Sequence, residues 1–159
     1  MSYKCFLVER TGAPDREEEF SFSDGGKGTR TIHEFRRTDT GETKWIVGPW
    51  QEDAFGIGSM WFTPQPWIKY PDQAQYRDWD NDDGQHLHVL TPGGTWDVDQ
   101  RCSNCGLPNE RTHRCWVRHG VPPNIHVDKS GNTCSAGAGS IVCGNYHGFL
   151  HNGYLTDGC

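Results

Sequence analysis

Glycine and proline interrupt this sequence so often, 20 and 9 times respectively, that no window of about 12 residues repeats apolar positions at helical spacing without one of them. Such a chain is expected to fold as short strands joined by turns. Three segments have the residues for β-hairpins, with strand formers flanking a turn of suitable chemistry. The first pairs Thr31–Arg37 with Lys44–Val47 through Thr38-Asp39-Thr40-Gly41-Glu42. The second pairs His86–Leu90 with Thr95–Asp99 across Pro92-Gly93-Gly94. The third pairs His147–His151 with Tyr154–Thr156 across Asn152-Gly153, the strongest signal, because a type I′ turn needs positive φ at both central residues. The best helical segment is one short turn around Trp50–Phe55. The expected class is therefore mainly β with little helix, as a small all-β or α+β domain.

Only 33% of the residues are hydrophobic, but 7 Trp, 7 Phe and 5 Tyr supply large apolar area each, so aromatics are expected to carry burial where aliphatics are scarce. Many of them lie between Gly48 and Tyr70, a stretch that reads as an irregular loop capping the sheet or as a surface for a partner. No apolar run approaches the roughly 20 residues of a membrane span, and Met1-Ser2-Tyr3-Lys4-Cys5 lacks the order of a signal peptide. A cytoplasmic protein without membrane contact is the expectation. The net charge of −6 gives no global attraction to nucleic acid or anionic lipid. Residues 71–100 hold seven Asp against the single Arg77, so the acidity is local. The run Asp78-Trp79-Asp80-Asn81-Asp82-Asp83-Gly84 fails as an EF-hand, with Asp83 where Gly is needed and Val89 where a bidentate Glu is needed, and reads as a solvated acidic loop.

Cysteine and histidine are distributed unevenly. Residues 86–159 contain six of the 7 Cys and seven of the 8 His. In a reducing compartment this concentration points to metal, and thiolate with imidazole is the preferred ligand chemistry of zinc. Cys102-Ser103-Asn104-Cys105-Gly106 has zinc-knuckle spacing, and the helical context of a redox CxxC is missing. The remaining ligands would come from Cys115, Cys134, Cys143, His147 or Cys159. Cys143 and His147, spaced i, i+4 before the Asn-Gly turn, could ligate together or act as nucleophile and base. Gly137-Ala138-Gly139-Ser140 lacks the Lys of a phosphate loop. Residues 113–119 alternate as a strand. His113, Cys115, Val117 and His119 would share one face, and Arg114, Trp116 and Arg118 the other, a cationic-aromatic patch suited to single-stranded nucleic acid.

The segments Trp96–Asp99, Ser103–Pro108, His113–Asn124, Thr133–Ile141 and Tyr146–Leu150 together resemble a group of small proteins encoded by actinobacterial phages, their prophages and hosts. The order CxxC, Pro-Pro-Asn, Gly-Ser-Ile, Cys/His-Gly-Phe-Leu, Asn-Gly and Asp-Gly-Cys is also similar to a broader bacterial and phage domain with zinc ligands. The resemblance covers residues 78–159, leaving 1–77 as an N-terminal β-rich, aromatic region without a recognisable role. It implies phage origin, location in the host cytoplasm and bound Zn2+, and it implies no activity. It narrows the ligand set to Cys105, Cys115, Cys134 and His147, because equivalents of Cys102 and Cys143 are often lacking in the group. The leading expectation is a non-enzymatic, zinc-stabilised protein that binds a host or phage macromolecule. The alternatives are a hydrolase built on zinc or on Cys143/His147, and a binder of single-stranded nucleic acid through Arg114, Trp116 and Arg118.

Overall fold

A computed structural model describes residues 2–51, 53–64, 85–99, 116–128 and 140–157. Every regular element in them is a strand, as the density of Gly and Pro predicts. In chain order these are β1 (Ser2–Lys4), β2 (Phe6–Arg10), β3 (Arg16–Ser21), β4 (Lys27–Arg37), β5 (Thr43–Ile46), β6 (Ser59–Pro64), β7 (Gln85–Thr91), β8 (Gly94–Asp97), β9 (Val117–Val121), β10 (Asn124–Asp128), β11 (Ile141–Cys143), β12 (Tyr146–His151) and β13 (Tyr154–Asp157).

All three expected hairpins are present as β4–β5, β7–β8 and β12–β13. In the last, Asn152 and Gly153 have φ of 49° and 80°, so the two-residue turn has positive φ at both centres and closes on the His151↔Tyr154 pair. The segment expected as a helical turn forms hydrogen-bonded turns instead, with Gln51 N–H donating to Gly48 O and Ala54 N–H to Gln51 O. Of the strand expected over 113–119, residues 113–115 lie outside the described residues and Val117–His119 are part of β9. It continues to Val121 and returns as β10 through a turn holding the cis Pro122–Pro123 bond.

Three sheets result. A seven-stranded sheet runs β3-β4-β2-β6-β7-β8 with β5 on β4, antiparallel except where β2 and β6 pair in parallel through Phe6↔Ser59 and Leu7↔Met60. A four-stranded sheet runs β1-β13-β12-β11, and β9–β10 form a two-stranded ribbon. The pairings β6–β7 and β1–β13 tie residues 1–77 to residues 78–159 through backbone hydrogen bonds.

The main core lies where the sheets meet. It joins Cys5, Met60, Leu87, Val89, Trp96 and Val98 to Trp116, Ile125, Val127, Ile141, Tyr146, Leu150 and Leu155. Most of these residues are aliphatic, so aromatics carry less of the burial than expected; Trp96 and Trp116 pack edge to face among them at 5.3 Å between centroids. A smaller cluster of Phe6, Val8 and Phe35 sits between β2 and β4. The β3–β4 arm is exposed on both faces and is matched by charge across its strands, Arg30 to Glu18 at 2.9 Å and Lys27 to Glu19 at 3.4 Å.

Candidate functional site

The candidate zinc ligands divide between described and undescribed residues. Cys102, Cys105, Cys115 and Cys134 lie outside the described residues, as do Arg114, Cys159, the acidic loop and residues 137–139. Cys143 and His147 are both described, on β11 and β12. The register pairs Cys143 with Tyr146 and Val142 with His147. Paired residues in an antiparallel ladder share a face and successive residues alternate, so Cys143 and His147 project from opposite sides of the sheet. Cys143 packs against the core beside buried Tyr146, its thiol 3.4 Å from Thr95 O, whereas His147 is exposed. The two residues that sequence spacing joined, as co-ligands or as nucleophile and base, are therefore separated by the pleat. Among the described residues no group of three or more His, Cys, Asp and Glu has metal-site geometry.

The expected cationic-aromatic patch is likewise taken apart. Trp116 is buried against Trp96. Arg118 is 11% exposed, with its Nε donating to Asp99 Oδ1 at 3.0 Å and its guanidinium 5.7 Å from the Phe62 ring centroid. Asp99 is 2% exposed and also accepts from Leu87 N–H at 2.8 Å. Neither Trp116 nor Arg118 is available as a solvent-facing stacking or phosphate-binding group. Both hold the back half together.

A buried polar seam occupies the face of β6, β7 and β8 opposite the main core. The ladders place Trp61 beside His88, Thr63 beside His86 and His88 beside Asp97. His86 Nε2 is in contact with Asp97 Oδ1, His88 Nε2 lies 2.8 Å from Thr63 Oγ1, and the His88 ring is stacked between Trp61 and His86 at 5.6 and 5.4 Å. Burial holds the His88 pKa below the ordinary imidazole value and proximity to His86 adds to this, against the opposing pull of Asp97. A histidine whose folded pKa lies below its unfolded one binds fewer protons when folded. Its neutral form thus contributes stability that is present above the ordinary value of 6.5 and is lost as pH falls towards the folded pKa. The unfolding free energy is expected to fall below about pH 6.5, and to fall less steeply in His88→Gln; equal slopes for the two proteins in urea titrations would refute this assignment. The Cys5 thiol is pushed up to about 12 by burial and the Tyr146 hydroxyl to about 12, chiefly by burial. Cys5 is therefore a core residue and no nucleophile.

The solvent-facing side of the four-stranded sheet is the most open of these surfaces. β12 alternates buried and exposed along its length, which sends His147, Phe149 and His151 outward. Register then sets Val142 beside His147, Thr156 and Ser2 beside Phe149, and Tyr154 and Lys4 beside His151. Val142, Phe149 and Tyr154 are 66%, 38% and 43% exposed. The grid of Ser2, Lys4, Val142, His147, Phe149, His151, Tyr154 and Thr156 contains no carboxylate, in a chain of net charge −6. The sequence places His147, Phe149, His151, Tyr154 and Thr156 in one hairpin but carries no sign that Ser2, Lys4 and Val142 join them on one face.

No family model, curated protein or solved structure matches the chain. No helix among the described residues is long and apolar enough to cross a membrane.

Proposed function

We propose that this chain is a phage-encoded, zinc-stabilised binding protein that acts in the host cytoplasm by docking a host or phage protein, without catalysis. The observation that carries this reading is the carboxylate-free outer face of β1-β13-β12-β11, on which Val142, Phe149 and Tyr154 stand exposed among His147, His151 and Lys4. Exposed apolar side chains grouped on one face and rimmed by polar ones suit a protein partner. The absence of carboxylates favours a partner that is acidic where it touches. A single Lys on the face offers little to a phosphate backbone, and the burial of Trp116 and Arg118 removes the other support for nucleic acid. The separation of Cys143 from His147 weakens the form of the hydrolase reading that used this pair as nucleophile and base. Zinc rests on the ligand-rich back half, with Cys105, Cys115, Cys134 and His147 as the proposed set. A structural zinc in such a domain contributes on the order of 10 kcal/mol of folding free energy.

Two measurements test this reading. Elemental analysis of purified protein is expected to give one zinc per chain, with loss of β-sheet circular dichroism on chelation; absence of metal together with an unaltered spectrum under chelator overturns the zinc assignment. Cross-linking in phage-infected cells is expected to join the wild-type chain to a discrete protein. That product should disappear in Phe149→Asp and Val142→Asp variants whose melting temperatures are unchanged. A product that persists in both variants overturns the docking face.

A further inference from the structure

A second group of imidazoles lies at the junction of the β9–β10 ribbon and the β12–β13 hairpin. His119 on β9 and His126 on β10 are cross-strand partners, with stacked rings 5.9 Å apart. The ring of His151, the last residue of β12, stands at 86° to that of His126 with centroids 4.6 Å apart. His126 Nδ1 and His151 Nδ1 face each other at 2.7 Å. We infer that His126 and His151 form a surface chelate for a divalent transition metal of the nitrogen-preferring class, Cu2+, Ni2+ or Zn2+, bound through the two Nδ1 atoms. It uses none of the residues of the Cys-rich ligand set.

The geometry supports this in three ways. Two imidazole nitrogens in adjacent positions of an octahedral or square-planar ion, each at about 2.0–2.1 Å, lie about 3 Å from each other. The observed spacing needs to open by only a few tenths of an ångström. Next, the far nitrogen of each ring already has a partner, the arrangement that fixes a ligating histidine in the correct tautomer. His126 Nε2 lies 3.1 Å from Asp128 Oδ2, and Asp128 Oδ1 is in turn 2.8 Å from His119 Nε2. His151 Nε2 lies 3.0 Å from the Asn152 side-chain amide, which by a half-turn presents its oxygen to an Nε2–H. With both rings protonated at Nε2, the two Nδ1 atoms carry their lone pairs 2.7 Å apart. Third, the site is reachable from solvent, since His151 is exposed and His126 is part-buried at the surface. Tyr154, the cross-strand partner of His151, and Lys4 beyond it on β1 complete the charged and titratable surroundings. With two protein ligands, water fills the other positions, so oxygen-preferring Mg2+ and Ca2+ are not expected to bind.

The test uses the full chain as purified, with any zinc it already holds. Calorimetric titration with NiCl2 and CuCl2 is expected to show one added ion per chain, with Cu2+ bound more tightly than Ni2+. The electron paramagnetic resonance spectrum of the Cu2+ form should show coupling to two nitrogens. His126→Gln and His151→Gln should each weaken binding at least tenfold, Asp128→Asn by about 10–100-fold, and His33→Gln on β4 not at all. Ni2+ affinity unchanged in both His126→Gln and His151→Gln overturns the site. A wild-type Cu2+ spectrum with coupling to one nitrogen or none also overturns it, whatever the stability of the variants.

Discussion

Asp99→Ala is expected to lower the unfolding free energy by about 3–5 kcal/mol, the cost of breaking a buried ion pair from one side. The carboxylate is nearly inaccessible and accepts from two donors, Arg118 Nε at 3.0 Å and Leu87 N–H at 2.8 Å. Truncation leaves a guanidinium without its counter-charge in a site that is 11% exposed, and it orphans a backbone donor at a buried strand position. The pair also ties the β9–β10 ribbon to β7 and β8, so the loss should be cooperative. Urea denaturation should show a lower midpoint with an unchanged slope. Replacing both charges, as Asp99→Asn with Arg118→Met, should cost less than Asp99→Ala alone, because no uncompensated charge remains. A loss below about 1 kcal/mol for Asp99→Ala, the range of exposed pairs, would show that the bridge is solvated.

The second large effect is expected at Gly148. A Cβ placed there would overlap Thr156 O and the hydroxyl and ring of Tyr146, which lies back across the strand. Tyr146 O–H donates to Thr156 O at 2.5 Å, so the ring is locked over the space a side chain at 148 would need. Gly148→Ala should cost about 3 kcal/mol, the upper part of the range for overpacking a filled core, and should break that hydrogen bond. In a Tyr146→Ala background the ring is gone but the nearer obstruction, the backbone oxygen of Thr156, stays, so most of the cost of Gly148→Ala should remain. A double-mutant cycle reads this coupling directly. A cost that falls by more than half would mean that the tyrosine, and not the backbone carbonyl of Thr156, excludes the side chain.

Local chemistry was legible in the sequence, and surfaces made by distant strands were not. Asn152-Gly153, Pro92-Gly93 and Thr38–Glu42 declared their hairpins because turn residues act through their own φ and ψ. The burial of Trp61, Trp96 and Trp116 was legible in outline, whereas the mainly aliphatic make-up of the core and the exposure of Trp50 were not. Alternation misled at Trp116 and Arg118. It grouped them on a solvent face, whereas Trp116 is buried in the core and Arg118 is 11% exposed beside Asp99. Spacing also misled at Cys143 and His147. A separation of four residues suits a loop, but these residues lie on two paired strands, where the register decides the face. The outer face of the four-stranded sheet and the His126–His151 pair depend on contacts between residues as far apart as 4 and 154, for which a single sequence carries no local signal.

The pairing of β1 with β13 sets the timing of assembly. Residues 2–4 have their ladder partners at 154–156, and Cys5 N–H donates to Gly153 O. During synthesis β1 waits for about 150 further residues before its edge is covered, and the parallel β2–β6 pair must close a loop of about 50 residues. Non-local β pairings of this kind place folding in the millisecond-to-second range. Until then the apolar strand Phe6–Val8 and the unpaired edge of β1 are open to association with other chains. Yield of native protein should therefore depend on expression rate and temperature more than on the stability of the finished fold.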